Sequence, residues 1–520
     1  KFKRKTKRFT SMMKKGLYLN SLFLAATLSC SLLSVQAQKK DRNFAVILPT
    51  DTERDIVRKA ATITPTDRQL RWQQYELTAF FHFGINTFTE REWGNGKEDP
   101  ALFNPTNFNA RQWVQTAKDA GFKLVILTAK HHDGFCLWPT ATTQHSVKSS
   151  PWKGGKGDVM REVAEACKEL GVRLGVYLSP WDRNASMYGT DAYNDFFVAQ
   201  LTELLTQYGQ VDEVWFDGAN GEGPNGKKQV YDFNRWYGHI RQLQPQAVIA
   251  IMGPDVRWVG TETGYGRETE WSVVPADNLD QAAIASGSQT SIAFKPTGDM
   301  MGSDLGSRSK IAKSKGLVWY PAETDVSIRP GWFYHSKEDD KVKSPDKLLD
   351  IYYSSVGRNG VLLLNLPPDK RGLIHEADVK ALKEWRRLID ETFKSNKLHG
   401  ATIESRNGKN AKAILDDKYN THWTTKGSDT TAVITFSLKA PQTFDVLLLQ
   451  ENITVGQRIE NFVLEYKEGG EWKKITEGTT VGYKRLLRFN AVTASEVRLR
   501  ILSSRLNPTL SAVGLYKQAQ

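Results

Sequence analysis

Polar and aromatic side chains follow four apolar segments in the first half of the chain, at the points where those segments end. A single histidine or aspartate at such a position is more often a hydrogen-bonded structural group than a catalytic one. Four consecutive segments that end this way indicate that the side chains converge on one site. The residues concerned are His82, His131, His132, Tyr177, Trp215 and Asp217.

Three kinds of hydrolytic chemistry use such groups, and two of them fit this pattern poorly. Zinc hydrolases built on barrels usually carry His-x-His on the first strand, where this chain has only His82. Neighbours such as His131 and His132 are expected to point apart on an extended backbone, which disfavours chelation by both. A serine nucleophile lacks the sharp turn that would expose it. Carboxylate chemistry remains, and it is the basis of glycoside hydrolysis.

Glycoside hydrolysis needs two carboxyl groups at the scissile bond, about 5–5.5 Å apart when one of them acts as a nucleophile. Asp217 is the candidate nucleophile, because it directly follows the apolar segment Val214-Trp215-Phe216 and is therefore held rigidly. The second carboxyl must come from the loop of a neighbouring strand, and periodicity alone does not choose among the candidates. These are Glu92, Glu222, Glu262, Glu268, Glu270 and Glu323.

The elements that position these residues alternate between short apolar strands and amphipathic helices from about residue 77 to residue 390. This alternation implies parallel strands joined by crossover helices, and eight such strands predict a (β/α)8-like barrel of the α/β class. The functional residues of such barrels lie at the carboxyl ends of the strands. The predicted strands are Leu77–Phe83, Lys123–Ala129, Arg173–Ser179, Val211–Phe216, Ala247–Met252, Glu270–Val273, Leu317–Tyr320 and Val361–Leu366.

Helix boundaries between these strands are marked by capping residues. Asn109 and Asp158 are predicted N-caps, and Gly171 follows the end of the second of these helices. Ser344 and Pro345 open a later helix in the favoured order. The chain has no glycine-rich dinucleotide fingerprint after an early strand, which disfavours a Rossmann domain.

The pattern changes near residue 395, after which apolar residues alternate with polar ones at period two and no helix is predicted. This indicates an all-β sandwich. We therefore expect a signal peptide over residues 1–37, a catalytic barrel domain over 38–395 and a β-sandwich domain over 396–520. The alternating sets are Ile434/Phe436/Leu438, Phe462/Leu464/Tyr466 and Val497/Leu499/Ile501.

A glycine- and serine-rich stretch lies between Pro275 and Lys315, inside the predicted barrel domain. A loop of this length on a barrel is usually a lid or a wall of the substrate site. The alternative is a disordered surface insertion.

The first 37 residues combine a basic start, an apolar run and a small-residue site at Ala37, which predicts a cleaved secretory signal peptide. We therefore expect an exported protein, periplasmic or secreted, without an integral membrane segment in the mature chain. Eight lysines and arginines of this segment supply most of the formal net charge of +13, so about +5 remains on the mature chain. That mild excess does not support a nucleic-acid partner.

Five motifs occur in order over roughly residues 65–390: His82-Phe83-Gly84, Glu92-Trp93, His131-His132-Asp133-Gly134-Phe135-Cys136-Leu137-Trp138, Trp215-Phe216-Asp217-Gly218 and Asn365-Leu366-Pro367-Pro368. Together they resemble the α-L-fucosidases of glycoside hydrolase family 29. The resemblance implies a retaining exo-α-L-fucosidase with Asp217 as its nucleophile. It also implies that the fucose hydroxyls or ring are bound by His82, Glu92, Trp93, His131, His132, Tyr177 and Trp215.

The segments Arg257–Glu262, Arg267–Trp271 and Ser327–Phe333 are similar to the subgroup specific for α-1,3 and α-1,4 linkages. In that subgroup the acid/base glutamate corresponds in position to Glu262, although an asparagine often stands where this chain has Thr261. The resemblance also implies that Trp332 contacts the methyl face of the sugar. Supporting salt bridges for Glu268 and Glu270, and a core position for Trp332, are the structural alternatives.

The implied partners are fucosylated oligosaccharides or glycoconjugates such as Lewis-type structures, and no cofactor or catalytic metal is required. The segment Leu415–Thr424 before an alternating strand is similar to discoidin-type (F5/8 type C) domains, which often bind galactose-like sugars and sometimes a structural Ca²⁺. Sugar binding and a purely structural role weigh equally for this domain. The alternatives for the whole chain are a broad-specificity fucosidase or transfucosidase and, outside the enzymes, a glycan-binding protein with a degenerate barrel.

Overall fold

A computed structural model describes residues 43–276 and 303–520. The predicted signal peptide over residues 1–37 lies outside the described residues, as do residues 277–302 of the predicted lid stretch. Up to residue 395 the elements are β1 (Phe44–Val46), α1 (Glu53–Thr62), α2 (Asp67–Tyr75), β2 (Leu77–Phe81), α3 (Ile85–Thr89), α4 (Ala110–Asp119), β3 (Leu124–Lys130), α5 (Val159–Leu170), β4 (Arg173–Leu178), α6 (Ala192–Gln207), β5 (Glu213–Phe216), α7 (Phe233–Leu243), β6 (Val248–Ile251), β7 (Arg257–Trp258), β8 (Val273–Pro275), α8 (Arg308–Ile311), β9 (Gly316–Trp319), β10 (Ala322–Ser327), α9 (Pro345–Ser354), β11 (Val361–Asn365) and α10 (Glu376–Phe393).

Eight strands form one parallel sheet in the order β6-β5-β4-β3-β2-β11-β10-β7. The sheet curves into a nearly closed barrel whose two edges are β6 and β7. This confirms the predicted (β/α)8-like class. Since all eight strands run the same way, their carboxyl ends open on one face.

Side chains alternate between the inside of the barrel and the helical layer. On β3, Leu124 and Ile126 pack in the inner cluster, whereas Val125 and Leu127 pack against the helices. A strand buried on both faces needs a continuous apolar run, which is why β3 is recognisable in the sequence.

Two of the predicted barrel strands are wrong. The segments Glu270–Val273 and Leu317–Tyr320 overlap β8 and β9, which pair antiparallel in a separate three-stranded sheet with β1. Their places in the barrel are taken by β7 and β10. Strand β10 carries Glu323, Thr324 and Asp325, all of them buried, so its polar sequence hides it from a hydrophobicity pattern.

The predicted helix caps are confirmed. Side chains of Asn109 and Asp158 accept hydrogen bonds from the third backbone amide of α4 and α5, and Ser344 does the same for α9. Gly171 ends α5 in the left-handed conformation at φ 68°, which a residue with a Cβ adopts only with strain. These caps fix where each helix returns the chain to the barrel.

The remainder of the chain forms two antiparallel sheets that pack face to face, which confirms the predicted β-sandwich. The larger sheet contains β12, β15, β16, β17, β18 and β20, and the smaller sheet contains β13, β14 and β19. The strands are β12 (Thr402–Glu404), β13 (Gly408–Lys409), β14 (Trp423–Thr425), β15 (Ala432–Gln450), β16 (Ile459–Glu468), β17 (Glu471–Gly478), β18 (Arg485–Ser504), β19 (Thr509–Leu510) and β20 (Ala512–Tyr516).

The predicted alternation of the sandwich strands matches their pairing. Phe436 lies opposite Val497, and Leu499 lies between Ile434 and Leu464 of the two flanking strands. All five side chains are buried in one core. The described residues of the barrel and of the sandwich form one compact unit, so the two domains are packed against each other. None of the helices in the described part of the chain is long and apolar enough to cross a membrane.

Candidate active site

The ten side chains predicted from the sequence lie together at the carboxyl ends of the barrel strands. Three strands end immediately before a site residue: β2 before His82, β3 before His131 and β5 before Asp217. The contacts described below, together with the edge-on contact between the rings of His82 and His131 at 5.8 Å, join all ten into one cluster. Its members are His82, Glu92, Trp93, His131, His132, Tyr177, Trp215, Asp217, Glu262 and Trp332.

Asp217 is fixed by two donors, one for each of its carboxylate oxygens. The hydroxyl of Tyr177 donates to Oδ2 at 3.1 Å, and the backbone amide of Ala219 donates to Oδ1 at 2.7 Å. The Asp217 side chain is 26% exposed, so it can be reached from the mouth of the barrel. Burial raises the pKa of Tyr177 well above its usual range, and the charge of Asp217 adds to this, so the phenol stays protonated and donates.

His132 lies beside Asp217 in a defined tautomer. Its Nδ1 is 2.7 Å from Oγ of Ser179, and that hydroxyl donates its own proton to the backbone oxygen of Trp181 at 2.7 Å. Nδ1 must therefore carry the proton. Burial lowers the pKa of His132 although the charge of Asp217 opposes it, so the ring is neutral near pH 7. Its Nε2 lies 3.8 Å from Oδ2 of Asp217, too far for a hydrogen bond, and can accept one from a sugar hydroxyl.

His82 is held in the same tautomer by Asn365. The amide nitrogen of Asn365 donates to Oγ of Ser327 at 2.9 Å and to the backbone oxygen of Trp332 at 2.7 Å. Its oxygen therefore faces His82, and accepts from Nδ1 at 2.8 Å. Burial lowers the pKa of His82 to about 3, which leaves a neutral ring with Nε2 as an acceptor.

His131 joins this group through ring contacts. Its ring stacks on Tyr177 at 5.7 Å between centroids and lies 4.1 Å from the ring of His132. The expected divergence of the two adjacent histidines is therefore wrong, because both follow the end of β3 and enter a turn closed by a hydrogen bond from Gly134 to His131. Nδ1 of His131 is buried without a protein partner, and burial holds the pKa of this histidine well below its usual range.

Trp215 forms the base of the cluster inside the barrel. Its ring stacks on Tyr177 at 5.1 Å and meets Phe80 edge-on at 5.0 Å. The indole Nε1 donates to Oε1 of Glu323 at 2.7 Å, deep in the barrel. The ring is thereby locked in a single orientation under the tyrosine that holds Asp217.

Glu262 lies at the mouth of the barrel, on the loop between β7 and β8. Nε1 of Trp332 donates to its Oε2 at 3.3 Å. Glu262 is an exposed residue, but protein atoms crowd its carboxyl. This loss of hydration is the largest cause of a raised pKa, to which the negative charges of Asp217 and Glu92 contribute. Glu262 therefore tends to hold a proton where an ordinary glutamate would lose it.

Glu92 fastens the loop that carries Trp332. Its Oε2 accepts from the backbone amide of Trp332 at 2.8 Å, and its Oε1 lies 2.7 Å from Nε2 of His335. The Trp332 ring lies 5.2 Å from that of His82. Beside Glu92, Trp93 is 46% exposed and meets the ring of His132 edge-on at 5.6 Å. An exposed indole at a polar pocket is suited to contact with the apolar face of a sugar.

The glutamates near Glu262 on the same loop are engaged in ion pairs. The carboxylate of Glu268 contacts Arg358 through one oxygen and Arg485 through the other. Glu270 is buried and is paired with two other arginines. These contacts agree with the supporting role considered for both residues.

The other candidate acids lie in unsuitable places. Glu323 is buried inside the barrel below Trp215, and Glu222 is exposed on the loop after β5. Both oxygens of Glu92 are engaged as described above. Of the six candidates, Glu262 combines a raised pKa with proximity to Asp217 at the mouth of the barrel.

Three further residues belong to the site, and sequence reasoning gave none of them a role. Asn365 and Ser179 set the tautomers of two histidines, and the Asn-Leu-Pro-Pro motif contained a signal for Asn365 alone. Asp325 accepts from Nε1 of Trp258 at 2.7 Å. Burial raises the pKa of Asp325 well above its usual range, and the charge of Glu262 raises it further. Within the described residues, no group of three or more His, Cys, Asp or Glu side chains is arranged to hold a metal ion.

Comparisons with known proteins agree with this geometry. Residues 67–389 match the α-L-fucosidase family, and residues 395–513 match the F5/8 type C domain. The chain is 46% identical over 464 residues to α-L-fucosidase 1 of Arabidopsis thaliana, which covers 87% of each chain.

Two crystal structures are also similar. A candidate α-L-fucosidase from Bacteroides ovatus is 53% identical, with a TM-score of 0.81, over 92% of this chain and 78% of that one. A family 29 fucosidase from Ruminococcus gnavus in complex with fucose is 32% identical, with a TM-score of 0.78, over 92% of this chain and 98% of that one. The chain therefore belongs to the α-L-fucosidase family, glycoside hydrolase family 29, as a hydrolase with a C-terminal F5/8 type C domain rather than a glycan-binding protein with a degenerate barrel.

Proposed function

We propose that the enzyme is a retaining exo-α-L-fucosidase that removes terminal α-1,3- or α-1,4-linked L-fucose from glycans by double displacement. The observation that carries this proposal is the contrast between two carboxyl groups. Asp217 receives two donors, Tyr177 and the amide of Ala219, which hold its two oxygens in the fixed orientation that a nucleophile needs. Glu262 has a raised pKa, which favours the protonated form that a general acid needs.

In the first step, a carboxylate oxygen of Asp217 attacks the anomeric carbon of fucose. The bond between that carbon and the glycosidic oxygen breaks, and Glu262 gives its proton to the departing oxygen. The products are a fucosyl ester of Asp217, an ionised Glu262 and the shortened glycan.

In the second step, Glu262 acts as the base. It takes a proton from a water molecule whose oxygen attacks the anomeric carbon, and the ester bond to Asp217 breaks. L-Fucose leaves with its original configuration, because each of the two displacements inverts the carbon once. Both residues return to their starting protonation states.

Sugar recognition rests on the neutral histidines and on the aromatic rings. Nε2 of His82 and Nε2 of His132 are acceptors, so each can take a proton donated by a sugar hydroxyl. Exposed Trp93 offers an apolar face. The relative from Ruminococcus gnavus was crystallised with fucose, which supports fucose as the bound sugar.

The linkage preference rests on the mouth of the site. Trp332 contacts both the ring of His82 in the pocket and the carboxyl of Glu262. A leaving glycan must approach Glu262 to receive its proton, so we expect Trp332 to contact the methyl face of fucose on one side and the next sugar on the other. Comparing the kcat/KM of α-1,2-, α-1,3-, α-1,4- and α-1,6-fucosylated oligosaccharides tests this preference. Equal values for all four would indicate a broad-specificity fucosidase.

The nucleophile is tested with Asp217→Gly and added azide. Most activity should be lost, and azide should restore turnover as β-configured fucosyl azide, because the anion enters from the side that the aspartate occupied. Asn220→Ala, at a buried residue on the same loop, is the control for disruption of the loop. Near wild-type hydrolysis by Asp217→Gly without azide would overturn the assignment.

The acid is tested with Glu262→Ala on two substrates. A fucosyl oligosaccharide with a poor leaving group should lose about 10²–10⁴-fold in kcat, since that is the usual contribution of a general acid. An aryl fucoside with a good leaving group should lose far less. Glu222→Ala, at an exposed glutamate of the loop after β5, is the matched control. Equal losses on both substrates would point to Glu268 or Glu270 instead.

We also propose export to the periplasm or the medium, on the basis of the basic and then apolar first 37 residues. Fractionation of cells that express the full chain, compared with cells that express residues 38–520, tests this. Retention of both forms in the cytoplasm would contradict it.

A further inference from the structure

The loop that carries Glu262 is attached to the C-terminal sandwich as well as to the barrel. Nη1 of Arg485 donates to the backbone oxygen of Glu268 at 2.6 Å, and the hydroxyl of Thr479 donates to the same oxygen at 3.1 Å. The backbone amide of Glu270 donates to Oγ1 of Thr480 at 2.9 Å. Backbone groups of this loop between β7 and β8, here called the catalytic loop, are thus paired with side chains of the sandwich.

Gln457 of the sandwich extends this attachment. Its amide nitrogen donates to the backbone oxygen of Glu270 at 3.0 Å, and its oxygen accepts from the amide of Ser272 at 2.8 Å. Gln457, Thr480 and Arg485 are all buried. Removal of either partner would leave a buried polar group unsatisfied, so these bonds are strongly maintained in the folded protein.

The Arg485 guanidinium also shares a carboxylate with the barrel. Its Nη2 lies 3.1 Å from Oε2 of Glu268, and Arg358 of the barrel contacts the other oxygen. Nη1 of Arg358 also donates to the backbone oxygen of Gly266 at 2.9 Å. Glu268 therefore joins the loop, the barrel and the sandwich at a single point.

Glu262 lies at the tip of the loop, between two sets of anchors. Upstream, the amide of Val259 donates to the backbone oxygen of Glu323 at 2.9 Å. Downstream, the amide of Gly264 donates to the oxygen of Asp325 at 3.1 Å, and the contacts of Glu268 with the sandwich follow. The anchors at Val259 and Gly264 lie on the barrel, whereas the far end of the loop is held by the sandwich and the barrel together.

We propose that the C-terminal sandwich positions the general acid/base of the enzyme, with Arg485, Thr480 and Gln457 as positioning residues that act through the loop on Glu262. This inference rests on the proposed role of Glu262. It gives the F5/8 type C domain a part in the fucosidase reaction that requires no sugar binding by the domain. Proton transfer to a leaving oxygen depends steeply on distance and angle, so small shifts of the loop reduce the rate.

The test compares full-length Thr480→Val and Arg485→Met with the wild type on two substrates. The kcat for a fucosyl oligosaccharide should fall on the order of tenfold in each variant, since small misplacements of a catalytic group have effects of this size. The kcat for an aryl fucoside with a good leaving group should stay within about twofold. Thr480→Ser keeps the accepting hydroxyl and should restore wild-type values on both substrates.

Lys484→Met is the matched control. Lys484 precedes Arg485 and also bridges the sandwich to the barrel, but it pairs with Glu76 after α2 rather than with the catalytic loop. It should lower thermal stability without a selective loss on the oligosaccharide. The proposal is overturned if Lys484→Met shows the same selective loss, if folded Thr480→Val and Arg485→Met show none, or if their losses on both substrates are equal.

Glu262→Ala in the wild-type background separates this inference from the function on which it depends. If Glu262→Ala shows no dependence on the leaving group, the acid/base assignment fails and this inference fails with it. If Glu262→Ala shows that dependence and the Thr480 and Arg485 variants do not, only the positioning role is overturned.

Discussion

The hydroxyl of Tyr177 donates a hydrogen bond of 3.1 Å to Oδ2 of Asp217. Tyr177 lies on β4, and Asp217 directly follows the neighbouring parallel strand β5. Tyr177 is paired in register with Trp215 of β5, and the two rings stack. The orientation of the proposed nucleophile is therefore set by the strand beside it. Since Trp215 is itself tied to Glu323, this arrangement extends into the centre of the barrel.

Replacement of Tyr177 by phenylalanine should lower kcat about ten- to a hundredfold, because a hydrogen bond to a charged group contributes roughly 1.5–3 kcal/mol. The ring still stacks on Trp215, so thermal stability should change little. Steady-state kinetics and a melting curve measure both effects. Tyr237→Phe is the control, since this tyrosine donates to the backbone oxygen of Met252 and not to a carboxylate of the site. A kcat equal to that of the control would show that the bond is dispensable.

Replacement of Asn365 by alanine should raise KM and lower kcat/KM by about tenfold, because His82 loses the partner that fixes its tautomer. His82→Ala should have a similar effect, and the double variant should be little worse than either single one. Such non-additivity is expected when two residues act as a unit. Effects that add in the double variant would show that Asn365 supports the fold by another route.

The fall of kcat/KM at alkaline pH should reflect the loss of the proton from Glu262. The general acid must start protonated, so kcat/KM should fall as pH rises through its raised pKa. In Glu262→Gln the residue no longer titrates, and the alkaline fall measured with an aryl fucoside should disappear. Glu222→Gln should keep the wild-type profile. An unchanged alkaline fall in Glu262→Gln would assign it to another group.

The barrel could be predicted where its strands are apolar and could not be predicted where they are polar. Strand β3 is buried on both faces and reads as a continuous apolar run. Strand β7 has two residues, too few for any period. Strand β10 buries carboxyl groups whose partners are Trp215 and Trp258, and these hydrogen bonds between distant segments have no sequence signature.

The sequence predicted where the site residues lie, but it did not predict which of their atoms carry protons. Asp217 and His82 were recognisable because each directly follows an apolar strand. The tautomer of His82 depends on Asn365, which lies 283 residues away in the sequence. The prediction that His131 and His132 diverge failed because it assumed extended backbone beyond the end of β3, where the chain turns.

Two buried glutamates in the barrel interior provide a last prediction, on stability. Glu213 accepts from Nε1 of Trp72 at 2.9 Å, and Glu323 accepts from Nε1 of Trp215 at 2.7 Å. Each has its other oxygen buried without a donor. The charge of Glu213 acts on Glu323, so a proton held between the two carboxyls would satisfy both of these oxygens. Burial raises the pKa of Glu213 from 4.5 to about 7, and burial together with the charge of Glu213 raises the pKa of Glu323 well above its usual range.

The folded protein thus holds protons that the unfolded chain releases above about pH 4.5, so stability should fall as pH rises through about 7. Glu323→Gln keeps an acceptor for Trp215 and gives Glu213 a permanent donor, so the variant should lose less stability over the same range. Calorimetric Tm values between pH 5 and 8 should show a fall in the wild type that exceeds that in the variant by about 2 °C or more. Parallel Tm curves for the two proteins would contradict the shared proton.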